Sequence, residues 1–287
     1  MTEILQQLMN GVFIGSYYVL IALGLSIIFG ILGIPHFAHG SVAMFSGYIS
    51  YLLVKRLGMD LFATLIISML FAALVGIVLE RIAYRPVRNA PPINSFIIAL
   101  GLLMMIDNSA NILFGANQVI IPSSYDRVFR FAGVSISSLR LYLLIISLVL
   151  ITLLYLFIQY TKMGKAIRAV AQNREASLIV GIDTDRVSTV VFALGSAMAG
   201  AAGVFIGSIF ALYPAMGGAT VMKGFAVLIL GGLGSFPGAI IGGLLIGITE
   251  NFGTALLSSA YKDLFAFVLL VIVLIFKPSG LFGRKGV

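Results

Sequence analysis

Two histidines near the start of an apolar stretch are the residues best suited to bind a metal. His36 and His39 stand three residues apart, so a helix places both on one face. Zinc sites use three or four protein ligands, and the sequence has no further histidine and no cysteine. The pair therefore favours neutral imidazoles that hydrogen-bond to neighbouring helices, with a role in lining a transport pathway as the alternative.

Carboxylates and amides interrupt two other apolar runs. Asp107, Asn108 and Asn111 fall in one run, and Glu250 and Asn251 fall in another. Ionisable residues at membrane depth are costly, so they face a bundle interior or a watery cavity. Lining a pathway and hydrogen bonding between helices are both open for these side chains. A proton relay needs a chain of such groups, which two separated carboxylates do not provide.

The local motifs of a self-contained enzyme are absent from the sequence. There is no H-E-x-x-H pair for zinc hydrolysis and no G-x-x-x-x-G-K-[ST] loop to cradle phosphates. An intramembrane enzyme is therefore disfavoured, and any ATP that drives this protein is hydrolysed on a partner. Glu80 and Arg81, at the end of an apolar run, are interpreted as a solvated helix end.

The elements that position these residues must be membrane helices. Of 287 residues 60% are apolar and only 10% are charged, with a mean hydropathy of +1.12. A soluble globule carries about 25% charged residues, so soluble enzymes and DNA-binding proteins are excluded. The net charge of +8 indicates Lys/Arg-rich loops beside an anionic leaflet and not affinity for nucleic acid.

Apolar runs predict an all-α polytopic membrane protein, a single domain over residues 1–287 with eight or nine membrane helices. One segment, 219–235, carries Lys223 and ends in a glycine-rich stretch, so a half-helix or re-entrant element is open there. The predicted spans are 8–30, 36–54, 61–80, 94–114, 140–159, 187–211, 219–235, 237–256 and 262–277.

The distribution of cations orients these spans. If all nine cross, eleven Lys and Arg residues share the side of the basic stretch 162–186, Arg284 and Lys285 among them, and seven lie opposite. Lys223 is counted with the second group. Positive residues favour the cytoplasmic side, so the N-terminus is predicted outside and the C-terminus inside.

Small residues recur at helical spacing and predict close packing. Gly195, Ala199, Gly203 and Gly207 form one stripe, which lets a neighbouring backbone approach. The pairs Gly238/Gly242 and Gly243/Gly247 repeat the device. Generic bundle packing explains these stripes better than a role in gating.

Two polar segments stand outside the spans. In 162–186, Asn173 suits the N-cap of a second short helix, Gly181 its stop, and Asp183 or Thr184 the cap of the next span. The two short helices form either a knob that enters a groove on a partner or an amphipathic linker on the leaflet. The outer loop 115–138 contains Asp126 and a run of β-forming residues, which predict a short hairpin that docks a binding protein, or simple loop cover.

Three stretches together resemble one family, the branched-chain amino acid ABC permeases of the LivH/LivM type. The first is Ile34-Pro35-His36-Phe37-Ala38-His39-Gly40, similar to the N-F-A-H-G signature of that family, although His36 replaces the usual Asn. The second is Met163-Gly164-Lys165-Ala166-Ile167-Arg168-Ala169 with Gln172-Asn173, Ala176 and Gly181-Ile182. The third runs from Gly224-Phe225-Ala226 through Gly231-Gly232-Leu233-Gly234-Ser235 to Pro237-Gly238-Ala239.

The resemblance covers the chain from the first span to its end and is closer to the shorter LivH-like subunit. It implies a permease without bound cofactor or metal, paired with a second permease subunit of LivM type, two cytoplasmic ATP-binding subunits and an external solute-binding protein. It also implies a bacterial or archaeal plasma membrane. In that scheme the residues that couple to the ATPase are Met163, Gly164, Lys165, Ala166, Arg168, Ala169, Asn173, Ala176 and Gly181.

The pathway for branched-chain or related neutral amino acids is predicted along the polar and glycine-rich positions of the spans. These are His36, Phe37, His39, Gly40, Asp107, Asn108, Asn111, Gly232, Gly234, Ser235, Glu250 and Asn251. For the glycine-rich stretch a tight turn is the alternative. Two other functions stay open: a secondary transporter or channel that needs no ATPase, and an ABC permease for a small amide such as urea.

Overall fold

The computed structural model describes residues 2–33, 35–125, 127–131, 133–256, 258 and 261–283. Ile34, Asp126, Arg284 and Lys285, which enter the predictions above, lie outside the described residues.

The described chain consists of helices joined by short connections, with a single β-hairpin. A π-helical turn, Glu80–Tyr84, continues α3. The helices are α1 (Thr2–Leu32), α2 (Ala38–Leu57), α3 (Leu61–Leu79), α4 (Pro92–Phe114), α5 (Ser138–Tyr160), α6 (Lys162–Gln172), α7 (Arg174–Ile179), α8 (Thr184–Ile209), α9 (Met216–Gly231), α10 (Phe236–Leu256) and α11 (Lys262–Phe276). The hairpin pairs β1 (Val128–Phe131) with β2 (Val134–Ser137) in antiparallel register, as the outer loop predicts.

The predicted class, an all-α polytopic membrane protein, is confirmed. Each predicted span coincides with a helix, and within the described residues six helices are long and apolar enough to cross a bilayer: α1, α3 with its π-turn, α4, α5, α8 and α10. The remaining three, α2, α9 and α11, are more polar or shorter. The total of eight or nine crossings therefore stays a prediction.

Contacts between helix ends define two ends of the bundle. At the hairpin end, the Gln6 side chain bonds to Ser135, and the Tyr125 hydroxyl donates to Asp60. At the opposite end, which carries α6 and α7, the ring of Tyr155 in α5 lies 5.6 Å from that of Phe236 at the start of α10. We call these the hairpin end and the α6–α7 end.

Helix directions alternate along the described chain, so its first and last parts lie at opposite ends. Residues 277–283 follow α11 and pack at the α6–α7 end, where the amides of Leu281 and Phe282 donate to the last carbonyls of α9.

Helices α1 and α8 form the centre of the bundle, and glycines let them approach their neighbours. A Cβ added at Gly203 would overlap the carbonyl of Ala43 in α2, and one at Gly247 would overlap the backbone of Gly15 in α1. Gly195 meets Gly24 in the same way. The predicted small-residue stripes are thus sites of contact between helices. In lipid the hydrophobic effect does not drive helices together, so close packing and dispersion stabilise these contacts instead.

Helix α2 begins inside the bundle and not at its end. His39, on its first turn, lies beside Gly24, two turns before the end of α1 at Leu32, which is about 12 Å along the helix axis. Helix α9 also begins within the bundle, where Gly217 touches Ser41 of α2. In the segment 219–235, where a half-helix or re-entrant element was left open, α9 is one continuous helix that starts at depth at Met216 and ends at Gly231.

Candidate functional site

The first turn of α2 lies against buried aromatic side chains. His36 Nδ1 is 2.7 Å from the hydroxyl of Tyr84, and the His36 ring packs 5.3 Å from that of Phe192 in α8. His39 occupies the space that Gly24 leaves open. Both imidazoles are buried, and His36 Nε2 and both His39 nitrogens have no hydrogen-bond partner within the described part of the chain. Only one of the predicted interhelical bonds of this pair is therefore made.

The structure brings Asp107 next to the starts of α2 and α9. Asp107 is 8% exposed and its Oδ1 lies 2.7 Å from where a Cβ on Gly217 would stand. The Ser41 hydroxyl lies 2.5 Å from the same point. The Ser41 hydroxyl lies close enough to the Asp107 carboxylate to affect the electrostatics of that group. Nevertheless, neither Ser41 Oγ nor Asp107 Oδ1 has a hydrogen-bond partner in the described ranges. Gly40 is required here because a Cβ would overlap the Gly217 carbonyl.

Aromatic rings close the seam between α4 and α9 on the α6–α7 side of Asp107. The ring of Phe37 lies 5.3 Å from that of Phe96 in α4 and 5.1 Å from that of Phe225 in α9. His36, Phe37, His39, Gly40 and Asp107 thus belong to one region of the structure.

The other predicted pathway residues lie elsewhere. Asn108 and Asn111 are exposed on the far face of α4, where the Asn108 amide donates to the Met104 carbonyl. Gly232, Gly234 and Ser235 form the tight turn between α9 and α10, with φ of 102° at Gly232 and 73° at Gly234. The Ser235 hydroxyl there accepts a bond from the Gly238 amide.

Glu250 and Lys223 form a buried ion pair in the half of the bundle nearer the hairpin end. Glu250 is 0% exposed and its Oε1 lies 2.7 Å from Lys223 Nζ, while its Oε2 accepts from the Tyr18 hydroxyl at 2.6 Å. Lys223 also contacts Asp263 at 2.7 Å. Lys223, which the sequence places on or near the outer side, lies in the hairpin-end half, and Glu250 neutralises its charge there, a pairing that the sequence does not reveal.

Asn251, the neighbour of Glu250, bonds back to α1. Its amide donates to the carbonyl and the side-chain oxygen of Gln7 at 2.7 and 2.6 Å. The sequence leaves open whether Glu250 and Asn251 line a pathway or form hydrogen bonds between helices. The structure shows interhelical hydrogen bonds for both side chains.

The α6 helix is held on the end of α5 by Thr161 and by two of the predicted coupling residues, Gly164 and Arg168. The Thr161 hydroxyl caps α6 by accepting from the Gly164 amide, and a Cβ on Gly164 would overlap carbonyls of α5. Arg168 donates to the carbonyls of Ile158 and Gln159, which are otherwise free at the end of α5. Met163, Ala166 and Ala169 are partly buried, and Lys165 is exposed.

The caps predicted for α7 and α8 are confirmed. The Asn173 side chain accepts from the Ala176 amide, Gly181 ends the turn with φ of 81°, and the Asp183 side chain accepts from the amides of Asp185 and Arg186. Asn173, Ala176 and Gly181 are all exposed.

An exposed apolar surface on α7 escaped the sequence reasoning. Leu178, Ile179 and Val180 are exposed, Ile179 by 87%. The signal was present as three consecutive large apolar residues before Gly181, outside any span. Two short capped helices thus carry an apolar tip away from the bundle.

A buried charge cluster ties the end of α3 to the start of α8. Glu80 is 1% exposed and accepts from Arg88 at 2.9 Å, from Arg85 at 3.3 Å and from the Thr189 hydroxyl at 2.9 Å. Arg88 also pairs with Asp185. The interpretation of Glu80 as a solvated helix end was wrong, because Arg85, Arg88 and Thr189 of α8 enclose its carboxylate. Arg81 is exposed as expected.

An apolar groove of about 560 Å³ lies between α1, α5 and α10. No residue predicted for the pathway or for coupling lines it. Its walls come mainly from aliphatic side chains such as Val19, Leu148 and Leu244, so it offers no chemistry for a polar solute.

Long apolar helices, two helices that begin at depth and buried charges facing the bundle interior define a polytopic membrane protein built for transport. The family model for the permease component of branched-chain amino acid transport systems matches residues 7–274, and the chain belongs to this family.

Relatives extend over nearly the whole chain. The high-affinity branched-chain amino acid permease protein LivH of Escherichia coli K12 is 37% identical over 297 residues, covering 99% of this chain and 96% of its own. BraD of Pseudomonas aeruginosa is 34% identical, with 99% and 97% covered. The probable LivH of Methanocaldococcus jannaschii is 31% identical, with 92% and 88% covered. The protein is therefore a multi-pass membrane permease of an ABC transporter.

Proposed function

We propose that this chain forms part of the translocation pathway of an ATP-driven importer for branched-chain or related neutral amino acids. Support comes from the relatives, whose names specify branched-chain amino acid transport, and from their coverage of the chain. The chain hydrolyses no ATP itself and binds no cofactor. Partner ATPase subunits supply the free energy, and a second permease of LivM type completes the pathway.

The observation that carries this proposal is the apolar tip of α7. Leu178, Ile179 and Val180 extend from two capped helices that rest on the end of α5, outside the membrane-spanning helices. Exposed apolar residues grouped on a soluble segment mark a site of protein contact. An ATPase groove that receives this tip can transmit its closure through α6 and α8.

The orientation of the chain in the membrane follows from the proposed docking of the ATPase on the apolar tip of α7. The α6–α7 end faces the cytoplasm of a bacterium or archaeon, where ATP is available, and the hairpin end faces outward. The hairpin and its loop then meet the solute-binding protein. Within the chain, solute passes the region of His36, His39, Gly40 and Asp107, which lies next to the two helices that begin at depth.

A paired substitution tests the docking of the ATPase. Ile179→Asp places a charge at the tip and is expected to lower copurification of the ATPase subunits at least ten-fold in detergent. Leu57→Asp is the matched control, because Leu57 is also exposed, by 68%, but lies at the opposite end. Equal copurification of the ATPase with both variants would contradict the docking site.

A second pair of substitutions tests the coupling of ATP hydrolysis to uptake separately from the docking of the ATPase. Gly181→Val forces a β-branched residue into a left-handed conformation, which strains the turn between α7 and α8 without a steric contact. Arg168→Gln weakens the hold of α6 on α5. Each should reduce uptake per ATP hydrolysed in the reconstituted complex, and unchanged stimulation of ATP hydrolysis together with unchanged uptake would reject the coupling role.

A further inference from the structure

We propose that Asp107, Ser41 and the first turn of α9 bind the charged head group of an α-amino acid as it crosses the membrane. Asp107 holds the ammonium group and the amides at the start of α9 hold the carboxylate. This inference rests on the proposed function and deepens it by naming the contacts that recognise the solute.

The first turn of α9 lies at depth and has no side-chain cap, and of its amides the one of Met216 donates to the Tyr213 carbonyl at 3.2 Å. Its N-cap residue, Ala215, has φ of 71° and makes no side-chain cap bond. A non-glycine residue with positive φ is strained, and such strain is concentrated at functional sites. A helix of 16 residues presents a partial positive charge of about half a unit at this point. The first turn of α9 is therefore suited to an anionic group.

The second observation is the pair of unsatisfied oxygens beside that turn. Asp107 Oδ1 and Ser41 Oγ are buried, both point at Gly217, and neither has a hydrogen-bond partner among the residues described. A buried carboxylate oxygen without a hydrogen-bond partner is costly, and folded proteins seldom retain one. A cationic ligand that visits the site explains why the acid is kept there.

The two features offer opposite charges side by side, which matches the ammonium and carboxylate of one α-amino acid. The first turn of α9 and the Asp107 carboxylate lie side by side, because a Cβ on Gly217 would stand 2.7 Å from Asp107 Oδ1. A Cβ on Gly218 would meet no atom within 4 Å, so this side of the turn is open. The rings of Phe37, Phe96 and Phe225 lie further toward the α6–α7 end and close the seam below the site.

Equilibrium binding to the purified transporter complex, without the solute-binding protein, tests this assignment. The probes are labelled L-leucine, 4-methylpentanoate, which lacks the ammonium group, and 3-methylbutylamine, which lacks the carboxylate. The wild-type complex should bind leucine at least ten-fold more tightly than either analogue. Asp107→Asn should weaken leucine binding at least ten-fold and leave the affinity for 4-methylpentanoate unchanged, while Asp107→Glu should retain the preference for leucine.

Ser109→Ala is the matched control, since Ser109 lies on the same helix and bonds only within it, to the Met105 carbonyl. It should bind all three probes as the wild type does. Equal loss of leucine and 4-methylpentanoate in Asp107→Asn would show a structural role and overturn the proposal, as would unchanged leucine binding. If the wild-type complex imports leucine with ATP but does not bind it in this assay, the site is wrong and the proposed function stands.

Discussion

The buried charge of Glu250 in this permease is neutralised by residues of other helices. Glu250 in α10 meets Lys223 in α9 and the hydroxyl of Tyr18 in α1. Taking two charges out of water is costly, and close geometry with additional hydrogen bonds offsets that cost. The stability of the hairpin-end half of the bundle therefore depends on both members of the pair.

Removing one member should destabilise the bundle strongly. Glu250→Gln leaves the Lys223 ammonium without its buried acid, and we expect a loss of about 3 kcal/mol in the free energy of unfolding. Thermal unfolding of the detergent-solubilised protein measures the effect. Asp263→Asn is the control, because Asp263 also contacts Lys223 but is 66% exposed, so its loss should cost far less. Equal melting temperatures for Glu250→Gln and the wild type would contradict the role of the pair.

The contact between Asp60 and Tyr125 should make the hairpin end sensitive to acid. The Tyr125 hydroxyl donates to Asp60 at 2.7 Å and holds the pKa of that carboxyl below its usual value. A depressed folded-state pKa contributes stability above the unfolded value of about 3.9, and this contribution is lost as the pH falls through the folded-state pKa.

Tyr125→Phe removes the donor and should lower the melting temperature at pH 7. The difference from the wild type should shrink as the pH falls below about 4 and should be lost below the depressed pKa of Asp60, where that carboxyl is protonated in both folded proteins. Tyr142→Phe, in the same aromatic cluster, is the control and should show no such convergence. A difference between Tyr125→Phe and the wild type that is constant from pH 7 to pH 3 would refute the assignment.

At the scale of residues, the sequence predicts local interactions and misses distant ones. The caps by Asn173 and Asp183 and the stop at Gly181 depend on a few neighbouring residues, so they can be recognised from spacing. Glu80 has two partners close in sequence, Arg85 and Arg88, but its contact with Thr189 and the partners of Glu250 depend on which helices become neighbours. No local pattern contains that information, which is why Glu80 was assigned to the wrong environment and the pairing of Lys223 with Glu250 was not predicted.

At the scale of elements, apolar length predicts helices well but does not give their depth. Every predicted span corresponds to a helix, and the β-forming run to a hairpin. The start of α2 inside the bundle was missed, because hydropathy reports how much of a segment is apolar and not where its first turn lies. Its position depends on Gly24, Gly40 and Gly203, whose missing side chains admit neighbouring backbones.

The charge cluster between α3 and α8 should transmit motion of the α6–α7 segment. Glu80→Gln removes the buried acid that holds Arg85, Arg88 and Thr189 together, and we expect a loss of about 3 kcal/mol in stability and a lower uptake per ATP. Thermal unfolding and paired uptake and hydrolysis assays measure both. Arg81→Gln, an exposed neighbour on the same turn, should behave as wild type. Full coupling in Glu80→Gln would exclude the cluster from transmission.

At the scale of the whole molecule, the chain has the features of one subunit among several. An apolar tip extends beyond the bundle at one end, a hairpin covers the other, and two helices start at depth beside unsatisfied polar groups. Composition alone indicates a membrane protein, and the resemblance of three motifs adds the family. The arrangement of the subunits depends on surfaces of other chains, so neither this sequence nor its fold specifies it.

Uptake of labelled leucine into proteoliposomes tests the central claim most directly. The account predicts uptake only when this chain is reconstituted with its permease partner, the ATPase subunits, ATP on the α6–α7 side and the solute-binding protein on the hairpin side. Leucine uptake by this chain alone, without ATPase subunits or ATP, would contradict the account and identify a secondary transporter or channel instead.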